Sequence, residues 1–516
     1  MPNTIDSNVS QLRYCEEDSF GVVSGDEVWY PLDPNSYGDF GPQIGTTARA
    51  PITSDRQNRK GVTTDLDASG SFNIDLTQSN LTRLIQGFFF ADIAEKGTTV
   101  PLNSAAVVVS AVDGTNEDFE TAGTFFTTIV GHLVLAEGFT NAANNGVHEV
   151  TTGPTTTSIP VLSNLVTETP PATATLKLVG YEFGDARVNV NATGGAFPRL
   201  ERASGSVNWT TIGIQAGDWI WIGGDLAANR FVNAANNGWA RVRSIAADSM
   251  TIDKSQGTMV DETGTDLTVR VYFGDRINND PLGSEGSVYN RRSYQLERTL
   301  GDDGVDTQAE YLEGAIPNEM TITISTADKI TVDMAFVAKD ASTVTGTVGV
   351  KGGTRPTLAD TDAFNTTSHV PFMRMGLRSN IDSNPGSLFA YLSELSLTIG
   401  NNVSPIKAVA NLGAVEMTSG NFAVTGNATA FFNTVGAQAA VRNNSDVDIC
   451  AGLVRNNAGF MLDVPLLSLG DGQLDVALNE PITLPLEVMG AKDTTYSYSA
   501  SFTVFHYLPD VAESTV

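Results

Sequence analysis

Apolar and polar residues alternate along one long stretch near the start of the chain. From position 66 to 76 every even-numbered residue is apolar or small, and the odd-numbered residues between them are polar. Two of these polar residues are aspartates, Asp67 and Asp75, and Asp65 precedes the stretch with the same spacing. Neighbouring side chains of a β-strand point to opposite faces. The stretch therefore predicts one long strand with a dry face and a wet, acidic face.

The pattern then changes to a helical one. Apolar residues recur at the spacing of a single helical face, at Leu81, Leu84, Ile85 and Phe88. Ser79 or Asn80 is suited to cap this helix, because a short polar side chain can accept a hydrogen bond from an amide of the first turn. The helix is predicted to end in an aromatic cluster, Phe88, Phe89 and Phe90. The rest of the chain is interpreted around this strand and helix.

The first 52 residues and the turn after them have a different texture. Aromatic residues stand among Pro, Gly and Asp, and only short strands are predicted, at 11–15 and 27–30. The remainder is predicted to be an extended arm that a partner surface orders. Arg56 and Arg59 follow in a small charged cluster, which suits a solvated turn as well as a clamp at an interface.

Two related β modules are predicted between residues 97 and 275. The octapeptides 139–146 and 231–238 differ at one position, and each is followed by a β-rich run with a similar exit. A spacing of about 90 residues indicates a tandem pair. Asn-Asn-Gly is typical of a tight turn, and a sugar-binding role of the Asn side chains is the alternative. The modules are predicted at 97–190 and 191–275.

Two weaker repeats indicate a duplicated core. Residues 69–76 resemble 419–426, and 329–340 resemble 481–493. The segments of the first pair are further apart in sequence than those of the second pair, and the difference is about the length of the two modules. This is expected if one fold occurs twice and the modules are inserted into its first copy. The predicted segments are 1–96 and 276–380 for the first core and 381–516 for the second, with a linker at 379–386. The second core is predicted to contain strands at 388–399, 409–417, 421–432, 446–454, 473–478, 482–489 and 496–507.

The composition is that of a mostly antiparallel β protein. A chain of 516 residues is too long for a single hydrophobic core of ordinary size. Short stretches suited to strands, separated by turns of Gly, Asn and Asp, predominate. No apolar run approaches the roughly 18 residues of a membrane helix, and we expect neither a secretory signal nor a membrane partner. The net charge of −29 disfavours nucleic-acid binding through phosphate contacts. A charge that only keeps the protein soluble is the alternative.

The sequence contains no constellation of residues that is typical of an enzyme. Its four histidines share no ligand spacing, and neither Cys15 nor Cys450 has an activating motif. Acidic turns at 113–118 and 302–306 lack the full spacing of a calcium loop. Trp209, Trp219 and Trp221 could form a sugar-binding platform, but Trp219 and Trp221, on one face of a predicted strand, fit the core of the second module better. We predict no catalytic activity, no cofactor, no metal site and two free, partly buried thiols.

Several of these segments resemble the major tail tube proteins of long-tailed bacteriophages, in the form with a duplicated core. The resemblance rests on the opening at 12–21, the segment 54–61, the strand–helix unit 69–91 and the closing β run 481–509. It covers the two cores but not the modules, and no helix as clear as the first follows residue 426. It implies a mainly β fold of two tandem sandwich or barrel cores with a flanking helix, plus the two small inserted β modules.

The resemblance also implies a structural virion protein. Rings of such chains stack into a hollow tail tube, an acidic conduit through which DNA passes into the host without specific binding. A duplicated core favours three chains in a pseudo-hexameric ring, and six chains are the alternative. The implied partners are further copies of the chain and the tail terminator, tape measure and baseplate proteins. The implied location is the virion tail, with assembly in the host cytoplasm.

Candidate site residues follow from combining the pattern with the resemblance. Asp65, Asp67 and Asp75 are candidates for the lumen wall, because a negative bore repels phosphate; exposure to outer solvent is the alternative. Candidates for subunit or ring interfaces are Arg56, Arg59, Phe88, Phe89 and Phe90. The arm 1–52 and the loop 276–316 are candidates for contacts between rings, and the modules are expected on the outside.

A surface-displayed or tail-tip adhesin, or a lectin-like β-rich binding protein, is the main alternative function. It is compatible with tandem β modules. The lack of an evident secretory signal and the strand–helix unit count against it. Self-assembly separates the two functions, because only a tube protein is predicted to stack without limit.

Overall fold

We describe the fold from a computed structural model of the chain. The structure describes residues 5, 7–52, 54, 57–203, 205, 207–279, 290–347, 351–359, 361–381, 389 and 391–513. The chain divides into two compact units, each made of three segments. Unit 1 comprises residues 1–91, 281–364 and 394–427, and unit 2 comprises residues 92–280, 365–393 and 428–516. The mainly β fold predicted from the sequence is confirmed.

The strands of the first half of the chain are short except for two, which have 16 and 17 residues. They are β1 Gln11–Glu16, β2 Tyr30–Leu32, β3 Pro34–Arg49, β4 Arg59–Asp75, β5 Ala111–Asp113, β6 Asp118–Glu120, β7 His132–Glu137, β8 Gly146–Glu149, β9 Ser158–Pro160, β10 Thr175–Glu182, β11 Val188–Asn191, β12 Arg199–Arg202, β13 Trp219–Ile222, β14 Gly238–Ile245, β15 Ser249–Ser255 and β16 Glu262–Thr263.

The second half continues with further antiparallel strands. They are β17 Arg270–Phe273, β18 Asp275–Asn278, β19 Tyr294–Asp302, β20 Thr307–Ser325, β21 Thr331–Ala338, β22 Asp340–Gly346, β23 Phe372–Leu377, β24 Leu392–Gly400, β25 Ser404–Lys407, β26 Ala414–Thr418, β27 Ala423–Phe431, β28 Val447–Arg455, β29 Ala458–Asp471, β30 Thr483–Gly490 and β31 Ser501–Phe505. The α-helices in the part of the chain that the structure describes are α1 Leu84–Phe89 and α2 Val435–Arg442, and short 3-10 turns occur elsewhere. In the described residues no helix is long and apolar enough to span a membrane.

The sheet of unit 1 is built outward from β4. β21 pairs with β4 from Thr331↔Asp75 to Ala338↔Ala68, and β3 pairs along the other edge of β4. β20 continues the sheet beyond β21. The N-terminal half of β20 pairs with β19 on one edge and with β22 on the other, and β1 follows β19. The predicted two-faced strand is confirmed, because burial alternates along β4 from residue 65 to 75.

The long strand β3 was not anticipated, because residues 34–49 are predicted above to belong to an extended arm. These residues pair with β4 through several register shifts, from Pro34↔Ile74 to Arg49↔Arg59. The backbone of β4 supplies the partner surface that the arm was expected to need from elsewhere. The short strand near residue 11 is confirmed as β1.

The helix α1 is shorter than predicted, and its predicted cap is wrong. Arg83 occupies the cap position and makes no side-chain capping bond. Asn80 instead donates to the carbonyl of Asp75 at 2.7 Å and accepts from the amide of Thr77 at 3.2 Å. The short polar side chain therefore closes the turn after the strand, a competing use that such residues often find. The predicted apolar stripe is confirmed as buried, at Leu81, Leu84, Ile85 and Phe88.

Unit 2 contains a sheet whose connections repeat those of unit 1. The N-terminal part of β29 pairs with β28 and β31, and its C-terminal part pairs with β30. β23 adds to β28. The hairpin β28–β29 thus corresponds to β19–β20, while β30, β31 and β23 correspond to β21, β22 and β1.

The two predicted modules share one sheet in unit 2. The strand order is β16-β11-β12-β15-β14-β13-β17-β10-β7-β8, and the similar exit segments pair with each other through β10 and β17. The repeated octapeptides make the same turn: Asn145 and Asn237 each bond through both amide atoms to the backbone six residues earlier. Gly146 and Gly238 follow with φ of 116° and 107°, which favours glycine. The shared motif is therefore a turn device.

A buried charge cluster lies in unit 2 beside the tryptophans of the second module. Arg241 is fully buried and bonds to Asp253 at 3.0 Å and to Asp463 of β29 at 2.9 Å. Lys254 pairs with Asp448 at 3.1 Å. Trp209, Trp219, Trp221 and Trp239 are buried. The prediction that Trp219 and Trp221 pack the core of the second module is wrong, because they pack with Phe372, Cys450 and Phe505 instead, and Trp209 is the tryptophan in the module core. The cluster ties the module sheet to β28 and β29, because an unpaired charge there would be strongly unfavourable.

The boundaries of the compact units differ from the predicted segments. Residues 394–427, predicted to open the second core, belong to unit 1, and residues 276–280 and 365–380 belong to unit 2. Part of the predicted linker lies outside the described residues. The sequential order of the two cores thus stays a prediction, whereas the recurrence of strand connections is a feature of the fold.

Candidate functional site

A broad polar face is the most distinctive surface of unit 1. It extends over four neighbouring strands, β4, β21, β20 and β24, which pair in register. Cross-strand partners share a face. The residues of this face are at least partly exposed, and most of their sequence neighbours are buried. This polar face is formed by Asp65, Asp67, Ser69, Ser71, Asn73, Asp75, Glu319, Thr321, Thr323, Asp333, Glu394, Ser396 and Thr398.

The predicted lumen aspartates all lie on this polar face, and lysines pair with them. Lys407 contacts both Asp65 and Asp67 at 2.7 Å, and Lys329 contacts Asp75 at 2.8 Å. The hydrogen bond from Lys407 holds the pKa of the Asp65 carboxyl below its usual value. Three further carboxylates share the face, Glu319, Asp333 and Glu394. Six carboxylates against two lysines leave the face negative.

One edge of the unit 1 sheet is completed by a strand from much later in the chain. The C-terminal half of β20 pairs with β24 from Glu319↔Gly400 to Ser325↔Glu394. The hydroxyls of Thr321 and Thr398 lie 2.8 Å apart across this pair on the polar face. A strand of the predicted second core therefore extends the sheet of the predicted first core.

The three phenylalanines predicted at an interface lie in the core of unit 1. Phe88 packs edge-on against Phe336, and Phe89 packs on Phe422 with ring centroids 5.7 Å apart. Phe90 clusters with Val403, Ala414, Met417 and Ile316. Asn401 donates to the carbonyls of Phe88 and Pro317 at 2.9 and 3.1 Å. Asn401, Val403, Ala414, Met417 and Phe422 all belong to the connection between β24 and β27. We call this connection, residues 401–422, the covering loop.

The predicted interface role of the phenylalanines and arginines stays untested. Phe88, Phe89 and Phe90 are buried within the unit, so this geometry gives them a contact with the predicted second core rather than with another chain. Arg56 lies outside the described residues. Arg59 is exposed at the start of β4, directly opposite Arg49 of β3. Arg49, Arg59 and Lys60 make this end of the β3–β4 hairpin basic.

A second strand–helix unit occurs in the predicted second core, where none as clear was expected. β27 is followed by α2, whose N-cap Thr434 accepts from the amide of Gly436 at 3.1 Å. The same backbone hydrogen bond follows both strands. The amide of Leu76 donates to the carbonyl of Ile330 at 2.9 Å, and the amide of Phe432 donates to the carbonyl of Ile482 at 3.0 Å. Leu76 thus corresponds to Phe432, six residues beyond the position that the sequence match gives.

The described residues bring one group of three acidic side chains close together, outside the polar face. Asp113, Asp118 and Glu120 offer oxygens within 4.8 Å of one another. Asp113 accepts from the amides of Thr115 and Asn116, so its carboxylate closes the acidic turn at 113–118. Cys15 and Cys450 are free and buried, and burial raises the pKa of the Cys15 thiol to about 12. The thiols are therefore unreactive core residues.

The family model of the phage tail tube protein matches residues 7–490 of the chain. The chain belongs to the phage tail tube protein family. No curated protein matches it significantly. As a tail tube protein it is a structural component of the phage tail, and it associates with itself and with other tail proteins to form the tube. The family is structural rather than enzymatic.

The fold explains why sequence reasoning found only part of this site. Asp65, Asp67 and Asp75 were visible because they follow one local period. Glu319, Asp333 and Glu394 were missed, because only strand pairing shows that they share a face with β4. Lys407 and Lys329 give no local signal, since they reach the aspartates from distant parts of the chain.

Proposed function

We propose that this tail tube protein assembles into stacked rings whose polar faces line the bore, an acidic conduit for DNA on its way into the host. The observation that carries the proposal is the edge-to-edge pairing of β20 with β24. It joins strands of the two predicted cores in one sheet with one continuous polar face. If the same junction forms between chains, the sheets close into a ring and no edge is left open.

The charge of the polar face supports passage without binding. Its six carboxylates exceed its two lysines, and a negative wall repels phosphate, whereas a basic wall would retain DNA in a salt-dependent way. Asp65, Asp67 and Asp75 are proposed as lumen residues that are partly neutralised by lysine. Glu319, Asp333 and Glu394 are proposed to supply the remaining negative potential.

The repeated connections around β20 and β29 support three chains in each pseudo-hexameric ring. We propose that the ring stacks on its own kind and on the tail terminator, tape measure and baseplate proteins, and that assembly takes place in the host cytoplasm. Electron microscopy of purified chain at rising concentration, with native mass spectrometry of any ring, tests this. Hollow rings of three chains are expected; rings of six would overturn the duplicated core, and a persistent monomer would overturn the tube.

The assignment of the bore has its own test. In assembled tubes a cysteine at Glu319 (Glu319→Cys) should react with a small maleimide but not with one attached to a bulky polymer. A cysteine at the exposed Val232 of the second module (Val232→Cys) should react with both. The native cysteines are buried and give a low background. Equal labelling of Glu319→Cys by the two reagents would place the polar face outside.

A further inference from the structure

The two strand–helix units differ in what covers their helices. All six residues of α1 are buried, whereas only Ala437 and Ala440 of the eight residues of α2 are. Val435 is 75 % exposed. Ala439 and Arg442 lie on the same face as Val435 by helical spacing and are also exposed. The second helix therefore has a face of one apolar, one small and one basic residue that the described residues leave exposed.

Phe336 packs on Phe88, and the cover at the C-terminal end of α1 comes from a defined element, the covering loop. It connects β24 to β27, and it places Phe422, Met417 and Val403 on the end of α1. The element in the equivalent position of the first strand–helix unit is the connection between β3 and β4. We call the ends of the two strands that flank this connection the hairpin tip, residues 44–49 of β3 and 59–64 of β4.

The hairpin tip has apolar residues without a core beneath them. Val62 continues the alternation of the dry face of β4, but it is 55 % exposed where Leu66 is buried. Ile44 of β3 is 58 % exposed. The covering loop packs on α1, whereas the equivalent hairpin tip extends past the core of unit 1.

We propose that the hairpin tip of one chain covers α2 of the neighbouring chain, as the covering loop covers α1 within the chain. The proposal rests on the proposed function, whose subunit junction it specifies. Each chain contributes one tip and one open helix, so the contact is head-to-tail and can close a ring. A second copy of this chain is thus the partner.

The unpaired edges of β3 and β29 and the charges around them also favour a contact between the hairpin tip and the region of α2. Within the described residues β3 pairs only with β4, and residues 468–471 of β29 pair only with β30. The corresponding half of β20 has its second edge filled by β24. The tip is basic through Arg49, Arg59 and Lys60. The chain that contacts α2 at Gly472 instead exposes acidic residues at and after this point, Asp471, Asp475, Glu480 and Glu487.

Two substitutions block the two sides of this junction separately. Val62→Asp places a charge on the tip, and its control is Val108→Asp at a valine of the first module that is 61 % exposed. Ala439→Arg places bulk and positive charge on α2, and its control is Ala247→Arg in an exposed turn of the second module. Circular dichroism and thermal unfolding of each variant establish that the chain folds.

The decisive experiment mixes the two blocked chains and measures mass by native mass spectrometry and sedimentation. Each variant alone should stay monomeric where the unmodified chain and both controls assemble. The mixture should form pairs and nothing larger, because only the tip of Ala439→Arg and the helix of Val62→Asp remain complementary. Assembly of either folded variant like the unmodified chain would overturn the inference and leave the tube standing. Failure of the unmodified chain to assemble would overturn both.

Discussion

The two helices of this chain follow corresponding strands, yet they are stabilised differently. α1 has no side-chain cap and is wholly buried, with the covering loop packed on its end. α2 has Thr434 as its cap and leaves most of its surface exposed. In a short helix tertiary packing outweighs capping, so α1 needs no cap. The exposed helix α2 has a side-chain cap.

The comparison indicates how a duplicated fold can serve assembly. The covering loop and β24 complete the sheet and helix of unit 1, while the corresponding positions next to β29 and α2 stay open. An assembly made of identical chains then needs to form only one further kind of junction. The structure inside the chain supplies the template for that junction.

The largest difference between the helices should appear on truncation. Phe89→Ala is expected to cost about 3–5 kcal/mol of unfolding free energy, because it leaves a cavity beneath Phe422. Val435→Ala, on the exposed face of α2, should stay within about 0.5 kcal/mol. Denaturant unfolding of the monomeric chain measures both. Equal losses would contradict the view that only α1 is covered within the chain.

A smaller effect is expected at the polar contact that anchors the covering loop. Asn401 is buried and bonds to the carbonyls of Phe88 and Pro317. Asn401→Ala should cost about 1–3 kcal/mol, because both carbonyls lose a buried donor. Asn433→Ala, in the exposed turn before α2, is the matched control and should be nearly neutral. A neutral Asn401→Ala would mean that the apolar contacts alone hold the loop.

Local periodicity predicted the parts of this fold that depend on neighbours in sequence. The strand β4 and the stripe of α1 were found because alternation and helical spacing act over a few residues. The strand β29 was missed. Its Asp463 and Pro465 argue against a central strand, but Asp463 bonds to Arg241, and Pro465 lies opposite a register shift in the pairing with β28.

The remaining parts of the candidate site depend on contacts between residues that are far apart in sequence. No local pattern in residues 401–422 shows that they pack on α1, or that β24 adds to β20. The repeat 329–340 and 481–493 located corresponding residues, because Ile330 and Ile482 make the same backbone bond. The match 69–76 with 419–426 was displaced, since alternating strands resemble themselves in several registers.

The uncovered helix should depend on its cap. Thr434→Ala removes the side-chain acceptor for the amide of Gly436 and should cost about 1 kcal/mol. Thr434→Ser keeps the acceptor and should behave like the unmodified chain. Hydrogen exchange of the α2 amides in the monomer is the sharpest readout, because fraying begins at the first turn. In assembled rings the difference should shrink, since a neighbouring hairpin tip would then hold the helix.

The smallest effect is expected where the covering loop meets the polar face. Lys407→Met removes the exposed contacts with Asp65 and Asp67, so the pKa of Asp65, now held low by the hydrogen bond from Lys407, should rise towards its ordinary value. Because the folded-state pKa is depressed, the contact stabilises above the ordinary carboxyl pKa and is lost as the pH falls through the folded value. Nuclear magnetic resonance titration of Asp65 measures the shift.

Measurements at low and high salt concentration distinguish the contribution of the Lys407 charge to stability from that of its aliphatic stem. Exposed ion pairs are screened at high ionic strength, so the difference in stability between Lys407→Met and the unmodified chain should vanish in concentrated salt. A difference that persists in salt and in acid would mean that the aliphatic stem of Lys407 holds the covering loop on β4. The loop would then be held on β4 at this point by apolar contact and not by charge.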